Sequence, residues 1–248
     1  MLTAENYFSL ENQMKYMGAG QFKSFMNCEA TALAEVKGEF EREKTTALLV
    51  GSYVDAHYEG TLDIFKAKNP AIFTQKCELK AEYRQAEYII NRLERDELFQ
   101  QFMSGEKQVI KTGEIFGVPF KIKIDSYHPG NMIVDLKVMR DFEPIWKDGL
   151  PLKFVEAWGY DIQAAIYQFI EGNNLPFYIA AATKEKEPDL AILNIPQNRL
   201  DYCLEIVMEN VKRFDSIKKG EIEPTRCEHC DYCKSTKVLT EVISYDCL

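Results

Sequence analysis

No apolar run in the 248-residue chain approaches the ~20 residues that a membrane-spanning helix needs. Nor does the N-terminus show a basic stretch followed by an apolar one, as a secretory leader would. Those two absences lead us to expect a soluble, cytoplasmic protein. An excess of positive charge is missing too: 39 acidic against 30 basic residues give a net charge of −9. That balance argues against a protein that coats nucleic acid through a general positive field. A local basic groove can coexist with it, and Lys121, Lys123, Arg140 and Lys153 are candidates for one. No internal repeat, low-complexity tract or long linker divides the chain. We expect one domain over residues 1–248, with its core at about 45–195 and a cysteine-rich tail at about 220–248.

Hydrophobic periodicity sets the expected elements. Residues 20–38 and 44–59 read as helices, with the charged run 39–44 as a solvated turn between them. Over 79–103, Tyr83, Ala86, Ile89, Ile90, Leu93, Leu98, Phe99 and Phe102 recur at helical spacing and predict one long amphipathic helix. Three strand-like runs follow at 107–115, 118–125 and 131–138, with Gly117 and Pro129-Gly130 marking the turns. Residues 153–172 return to helical spacing. Residues 175–182 and 190–195 read as buried strands, and 198–218 as a helix. The order predicts an α/β fold, with a central mixed β-sheet flanked by helices.

The second and third strand-like runs carry the chemistry. Asp125 ends one, and Asp135 stands two residues before Lys137 in the next. On a strand, Asp135 and Lys137 share a face because side chains alternate with period two. Leu136 then points the other way, into a core, while its carbonyl stays near the charged pair. Two carboxylates and a carbonyl are hard oxygen donors suited to Mg²⁺ or Mn²⁺. A lysine beside them can orient or activate water, so the set is equipped for metal-assisted phosphodiester hydrolysis. A simple hairpin turning at 126–130 would pair Asp125 near Asn131. Asp135 would then lie roughly 13 Å further along, so a bulge, a bend or a wider loop must bring the acids together. Glu114, at the head of the meander, is a weaker candidate acid. In the next helix Tyr160, Gln163 and Tyr167 fall at i, i+3 and i+7, along one stripe. A buried glutamine there needs hydrogen-bond partners.

Asp125 together with Asp135-Leu136-Lys137 resembles the signature of the PD-(D/E)XK nuclease superfamily. The following Gln163-Ala-Ala-Ile-Tyr167 resembles its RecB-like branch. The longer string from Gly159 to Tyr167 looks most like phage and prophage RecE-type exonucleases, over roughly residues 45–183. The resemblance implies a Mg²⁺- or Mn²⁺-dependent DNA exonuclease acting on duplex ends. It further implies 5′→3′ digestion leaving 3′ single strands for a RecT-type annealing protein, and a ring-like homo-oligomer in the cytoplasm of a phage host. Asp125, Asp135 and the Leu136 carbonyl would hold metal, and Lys137 would act on water. Tyr160, Gln163 and Tyr167 would face DNA or the lysine. Members of this branch often carry Gly-x-x-x-His on an earlier helix, with the histidine on the metal. Gly51–Asp55 occupies that pattern here, with Asp55 at the histidine's place. His57 lies about 200° around a helix from Asp55, so the two do not serve one site; Asp55 is the preferred ligand. Two other functions share the fold: an inactive DNA-end or partner-binding module, and a CRISPR-adaptation or AddB-like repair nuclease.

Seven cysteines fit metal or redox chemistry in a reducing compartment better than a disulfide scaffold. Cys227, Cys230 and Cys233 form two successive C-x₂-C spacings, which bring three thiolates within reach of one metal centre. The fourth ligand is open among Cys28, Cys247 and His229. The segment ending in Cys28 resembles the early cysteine of AddB-like and CRISPR-adaptation nucleases, which implies a [4Fe–4S] cluster. Zn²⁺ is the rival occupant. Cys77 and Cys203 read as ordinary thiols.

Overall fold

The computed structural model describes residues 2–240 except Asp148, together with Val242 and Ser244. An N-terminal strap leads through α1 (Leu10–Lys15) to α2 (Ala19–Asn27) and α3 (Glu29–Lys37). Next come α4 (Thr46–Tyr58), α5 (Leu62–Lys68), α6 (Ala81–Glu94) and α7 (Glu97–Phe102). The meander is β1 (Glu106–Ile115), β2 (Val118–His128) and β3 (Met132–Met139), followed by a small hairpin of β4 (Ile145–Lys147) and β5 (Leu150–Leu152). Helices α8 (Phe154–Ala157) and α9 (Tyr160–Glu171) cross over to β6 (Phe177–Thr183) and β7 (Leu190–Asn194). The long α10 (Gln197–Lys218) and a final turn of helix, α11 (Asp231–Ser235), complete the order.

Five strands form one mixed sheet in the order β1-β2-β3-β6-β7; β3 and β6 run parallel and the other neighbours antiparallel. Helices cover both faces, as expected for a sheet with a crossover. On one face α2, α3, α9 and α10 bury Phe22, Phe25, Ile166 and Phe214 against Phe120 and Phe177. On the other, α4, α6 and α7 bury Tyr53, Ile89, Leu93 and Phe99 against Val134, Leu136 and Ala180. The alternation along β3 therefore divides cleanly, with Leu136 in the second core as its place in the strand predicts.

Three of the expected helices are broken, each for a local reason. The 20–38 helix is interrupted at Cys28, whose extended backbone (φ −162°, ψ 112°) separates α2 from α3. The 79–103 helix stops after α6, and Asp96 restarts it by accepting from the Phe99 N–H at 3.0 Å, a cap that aspartate favours. The 153–172 helix breaks at Gly159, where φ is +60° and a side chain would be strained.

The β2–β3 connection differs from the simple hairpin. His128 pairs with Met132 across a three-residue turn at 129–131, with Gly130 at φ +70°. The same register runs through Tyr127↔Ile133 to Ser126↔Val134, and there the ladder ends. Its continuation would set Asp125 against Asp135. A shorter turn, rather than a bulge between the acids, removes the four-residue offset.

Candidate active site and cysteine centre

Beyond Ser126 and Val134 the two strands part, and β3 takes its hydrogen bonds from β6 instead. Asp125 stands on one side of this fork and Asp135 on the other. Asp125 Oδ2 accepts from the Leu136 N–H at 3.0 Å, replacing the ladder bond that the fork removes. On its other side Met17 bridges to Phe120, taking Pro119 O and giving its own carbonyl to Lys121 N–H. The opening is a cavity of about 490 Å³ lined by Asp55, Asp125, Asp135, Leu136 and Lys137.

Each of these groups is held from behind. Gln163, buried in α9, donates from Nε2 to Asp135 Oδ1 at 2.7 Å, so its amide has the partner that burial requires. Lys137 pairs with Asp135 and donates to the Leu136 carbonyl at 3.3 Å. Its ammonium also lies 5.1 Å from the Tyr160 ring centroid. Tyr167 donates to the Lys123 carbonyl at 3.0 Å, buttressing β2 one residue pair before Asp125. Gln163 thus meets an acid, Tyr167 meets backbone and Tyr160 stands beside Lys137, while Gln163 and Tyr167 also line the cavity that holds the acids.

The earlier helix is placed as its pattern suggests. Asp55 enters the cavity, whereas His57 pairs with Glu94 at 2.9 Å and stacks edge-on to Tyr58. Of the groove candidates, Lys123 lines the cavity and contacts Glu59 at 3.5 Å. Lys121 also lines the cavity but is buried, and it donates to the Tyr7 carbonyl at 2.5 Å. Arg140 pairs with Asp141, and Lys153 and Glu114 are exposed away from the acids.

Two residues near the acids carry no motif. Glu59 joins the cavity lining, four residues after Asp55 and therefore on the same side of α4, a spacing the sequence does show. Gln108 sits at φ +53° and donates to Asp125 Oδ1 at 3.3 Å. That strained backbone leaves no trace in a sequence.

Burial and like charge shape the site. Burial and then Asp135 push the Asp125 carboxyl up to about 7, against the pull of Lys137 and the Leu136 N–H. Burial, followed by Asp125, raises Asp55 well above the carboxylate range. Burial opposes charge on Lys137, but Asp135 and Asp125 outweigh it and hold the ammonium above its ordinary value. Three acids and one ammonium leave a surplus of negative charge, which a divalent cation would neutralise. Their oxygens, with the Leu136 carbonyl, are the hard donors such an ion takes.

The second cluster joins the chain's two ends. Cys28, buried at the α2–α3 break, meets Cys227, Cys230 and Cys233, and all four sulfurs lie within 4.8 Å of one another. Cys28 Sγ is 3.6 Å from Cys233 Sγ and 3.9 Å from Cys230 Sγ, and Cys227 Sγ is 3.9 Å from Cys233 Sγ. Burial opposes the Cys28 thiolate, yet hydrogen bonds from Thr31, from the Cys227 backbone and from Cys233 bring the thiol down to about 6. His229 is turned to the Cys227 carbonyl at 2.6 Å, and Cys247 lies outside the described residues. Cys77 is exposed and Cys203 buried, both as free thiols.

A forked mixed sheet with acid, acid and lysine at the fork defines a protein of the PD-(D/E)XK class. The chain belongs to the family of PDDEXK-like domains of unknown function (DUF3799), whose profile matches residues 18–236. It is similar to a solved structure named as a putative exonuclease from Eubacterium rectale, at 52% identity and a TM-score of 0.94. That match covers 98% of this chain and 96% of the other. SSO0001 aligns at 16% identity with a TM-score of 0.28, over 77% of this chain and 85% of its own, and carries no argument. No curated protein matches the chain. Among the described residues, no helix is long and apolar enough to cross a membrane.

Proposed function

We propose that the protein is a divalent-metal-dependent deoxyribonuclease that digests DNA from duplex ends. The observation that carries this reading is the convergence of Asp125, Asp135, the Leu136 carbonyl and Lys137 at one fork. Asp125, Asp135, Leu136 O and Asp55 would hold Mg²⁺ or Mn²⁺. When bound, such an ion supplies Lewis acidity to the phosphodiester and lowers the pKa of water. Lys137, anchored between Asp135 and the Leu136 carbonyl, orients the attacking water and offsets charge growing on the phosphoryl oxygens. Gln163 fixes the angle of Asp135, and Tyr160 supports the ammonium. Lys123 stands at the rim, where a neighbouring phosphate would pass.

RecE-type action is the finer form of this proposal, supported by the Gly159–Tyr167 string; the name of the Eubacterium rectale relative supports exonuclease action alone. It comprises 5′→3′ digestion, 3′ single strands handed to a RecT-type annealing protein, and a homo-oligomer working in the cytoplasm of a phage host. Digestion of a duplex labelled separately at each 5′ and 3′ end tests it. Release of 5′ label first, only from linear DNA and only with Mg²⁺ or Mn²⁺, is expected. Internal cutting or 3′ release first would overturn it, and equal activity in Asp135→Ala would reject the site.

For the tail, the sulfur spacing favours a single Zn²⁺ over a [4Fe–4S] cluster. Thiolates placed tetrahedrally at ~2.3 Å from one ion stand about 3.8 Å apart; three of the sulfur pairs here stand at 3.6, 3.9 and 3.9 Å, and all lie within 4.8 Å. A cubane holds its four cysteines on four separate irons and so sets them wider. The centre would staple α3 to the C-terminal tail rather than take part in hydrolysis. Stoichiometric zinc in a colourless preparation is expected; a band near 400 nm that bleaches on reduction would show the cluster instead.

A further inference from the structure

An aromatic ring stands in the opening of the acid site with most of its surface in solvent. Phe8 is 68% exposed, yet it lines the same cavity as Asp55, Asp125, Asp135 and Lys137. Its position is not that of a loose terminus. Buried Lys121 donates to the Tyr7 carbonyl, and buried Lys218 donates to Gln13 O at 2.9 Å and Tyr16 O at 3.0 Å. The Lys121 ammonium is given to the strap's backbone, and the Lys218 ammonium to the strap's backbone and to Gln21 Oε1 at 2.8 Å. Met17 then ties the strap into β2. Tyr7 packs edge-on to Phe8 with ring centroids 4.9 Å apart, which fixes the ring further.

A cation completes the arrangement. Lys123 Nζ lies 5.5 Å from the Phe8 ring centroid and 3.5 Å from Glu59, and all three residues line the cavity that holds the acids. An aromatic face with an ammonium beside it in that cavity matches one nucleotide unit: base on the ring, phosphate on the cation, and the next phosphodiester at the acids.

We propose that Phe8 is the stacking platform for the nucleobase beside the scissile phosphodiester, a role that rests on the DNA-hydrolase reading. The ring is held before DNA arrives, so stacking orders no further side chain. Being sequence-tolerant, a stacked base suits an enzyme that must move along any duplex end.

The test uses the full-length protein, a DNA duplex carrying 2-aminopurine at its terminal nucleotides, and Ca²⁺ to hold the complex without turnover. The parent should quench the probe, Phe8→Ala should not, and Phe8→Trp should restore quenching. In digestion with Mg²⁺, Phe8→Ala should raise KM about ten-fold, the scale of one lost stack, with kcat little changed. Phe8 packs little against the core, so a folding failure is not expected, and Phe8→Trp reports on it. If Phe8→Ala quenches and digests like the parent while Asp135→Ala is inactive, the stacking role is wrong and the hydrolase reading stands. If the parent itself digests no DNA, both fall.

Discussion

Asp125 accepts the backbone N–H of Leu136, so one metal-binding candidate is built onto the residue that presents another, the Leu136 carbonyl. The carboxylate takes the place of a strand partner exactly where β2 and β3 part, and fork and site are one feature.

Asp125 variants should separate structure from chemistry. Asn keeps an acceptor for the Leu136 N–H and loses charge; Ala loses both. Digestion should fall by about 100-fold or more in either, whereas Asp125→Ala should be about 1–3 kcal/mol less stable than Asp125→Asn by leaving a buried N–H unpaired. Urea unfolding alongside the digestion assay checks it, and equal destabilisation by both variants would count against the role given to the hydrogen bond.

Among the described residues Gln163 donates its amide to Asp135, which casts it as a positioning residue. Gln163→Ala should lower activity about 10–100-fold, as loss of a ligand's supporting partner does. The Mn²⁺ concentration needed for half-maximal rate should rise, which a purely structural defect would not produce.

Glu171 offers a pH prediction away from the site. Burial would raise its carboxyl, but hydrogen bonds from Asn173, Tyr127 and Lys111 prevail and hold it at about 2. A depressed folded value means that the stabilisation is complete above the unfolded value of 4.5 and is lost as pH falls towards about 2. The stability gap between parent and Glu171→Gln should be at most about 3 kcal/mol near neutrality and should shrink below that value. A gap that widened on acidification would contradict the sign.

Much of this was legible in the chain. Strand alternation put Asp135 and Lys137 on one face and Leu136 in a core, and helical spacing separated Asp55 from His57. The mixed sheet followed from element order. Turn length was not legible, because Ser126-Tyr127-His128 extend a strand as readily as they end one, and the acids' register depended on it. The role of Gln163 also needed the third dimension: periodicity marks a face but not which strand it meets. That the Lys121 ammonium is given to the Tyr7 carbonyl was not legible, because the two residues lie far apart in the chain. Cys28 could be joined to the tail only by resemblance, since 198 residues lie between it and the first tail cysteine, Cys227.

Removing tail metal should act on stability before chemistry. Dialysis against a chelator, or Cys230→Ser, is expected to lower Tm and release one zinc per chain, leaving Mg²⁺-dependent digestion by the remaining folded protein. Loss of digestion with Tm unchanged would place the cysteines in catalysis instead.

The fork itself is tested most directly by anomalous diffraction at the manganese edge from crystals grown with Mn²⁺. A peak is expected between the carboxylates of Asp125 and Asp135, within bonding distance of the Leu136 carbonyl, and it should vanish in Asp135→Ala. A parent crystal saturated with Mn²⁺ that shows no density there, or the same density in the variant, would contradict the assignment of these acids.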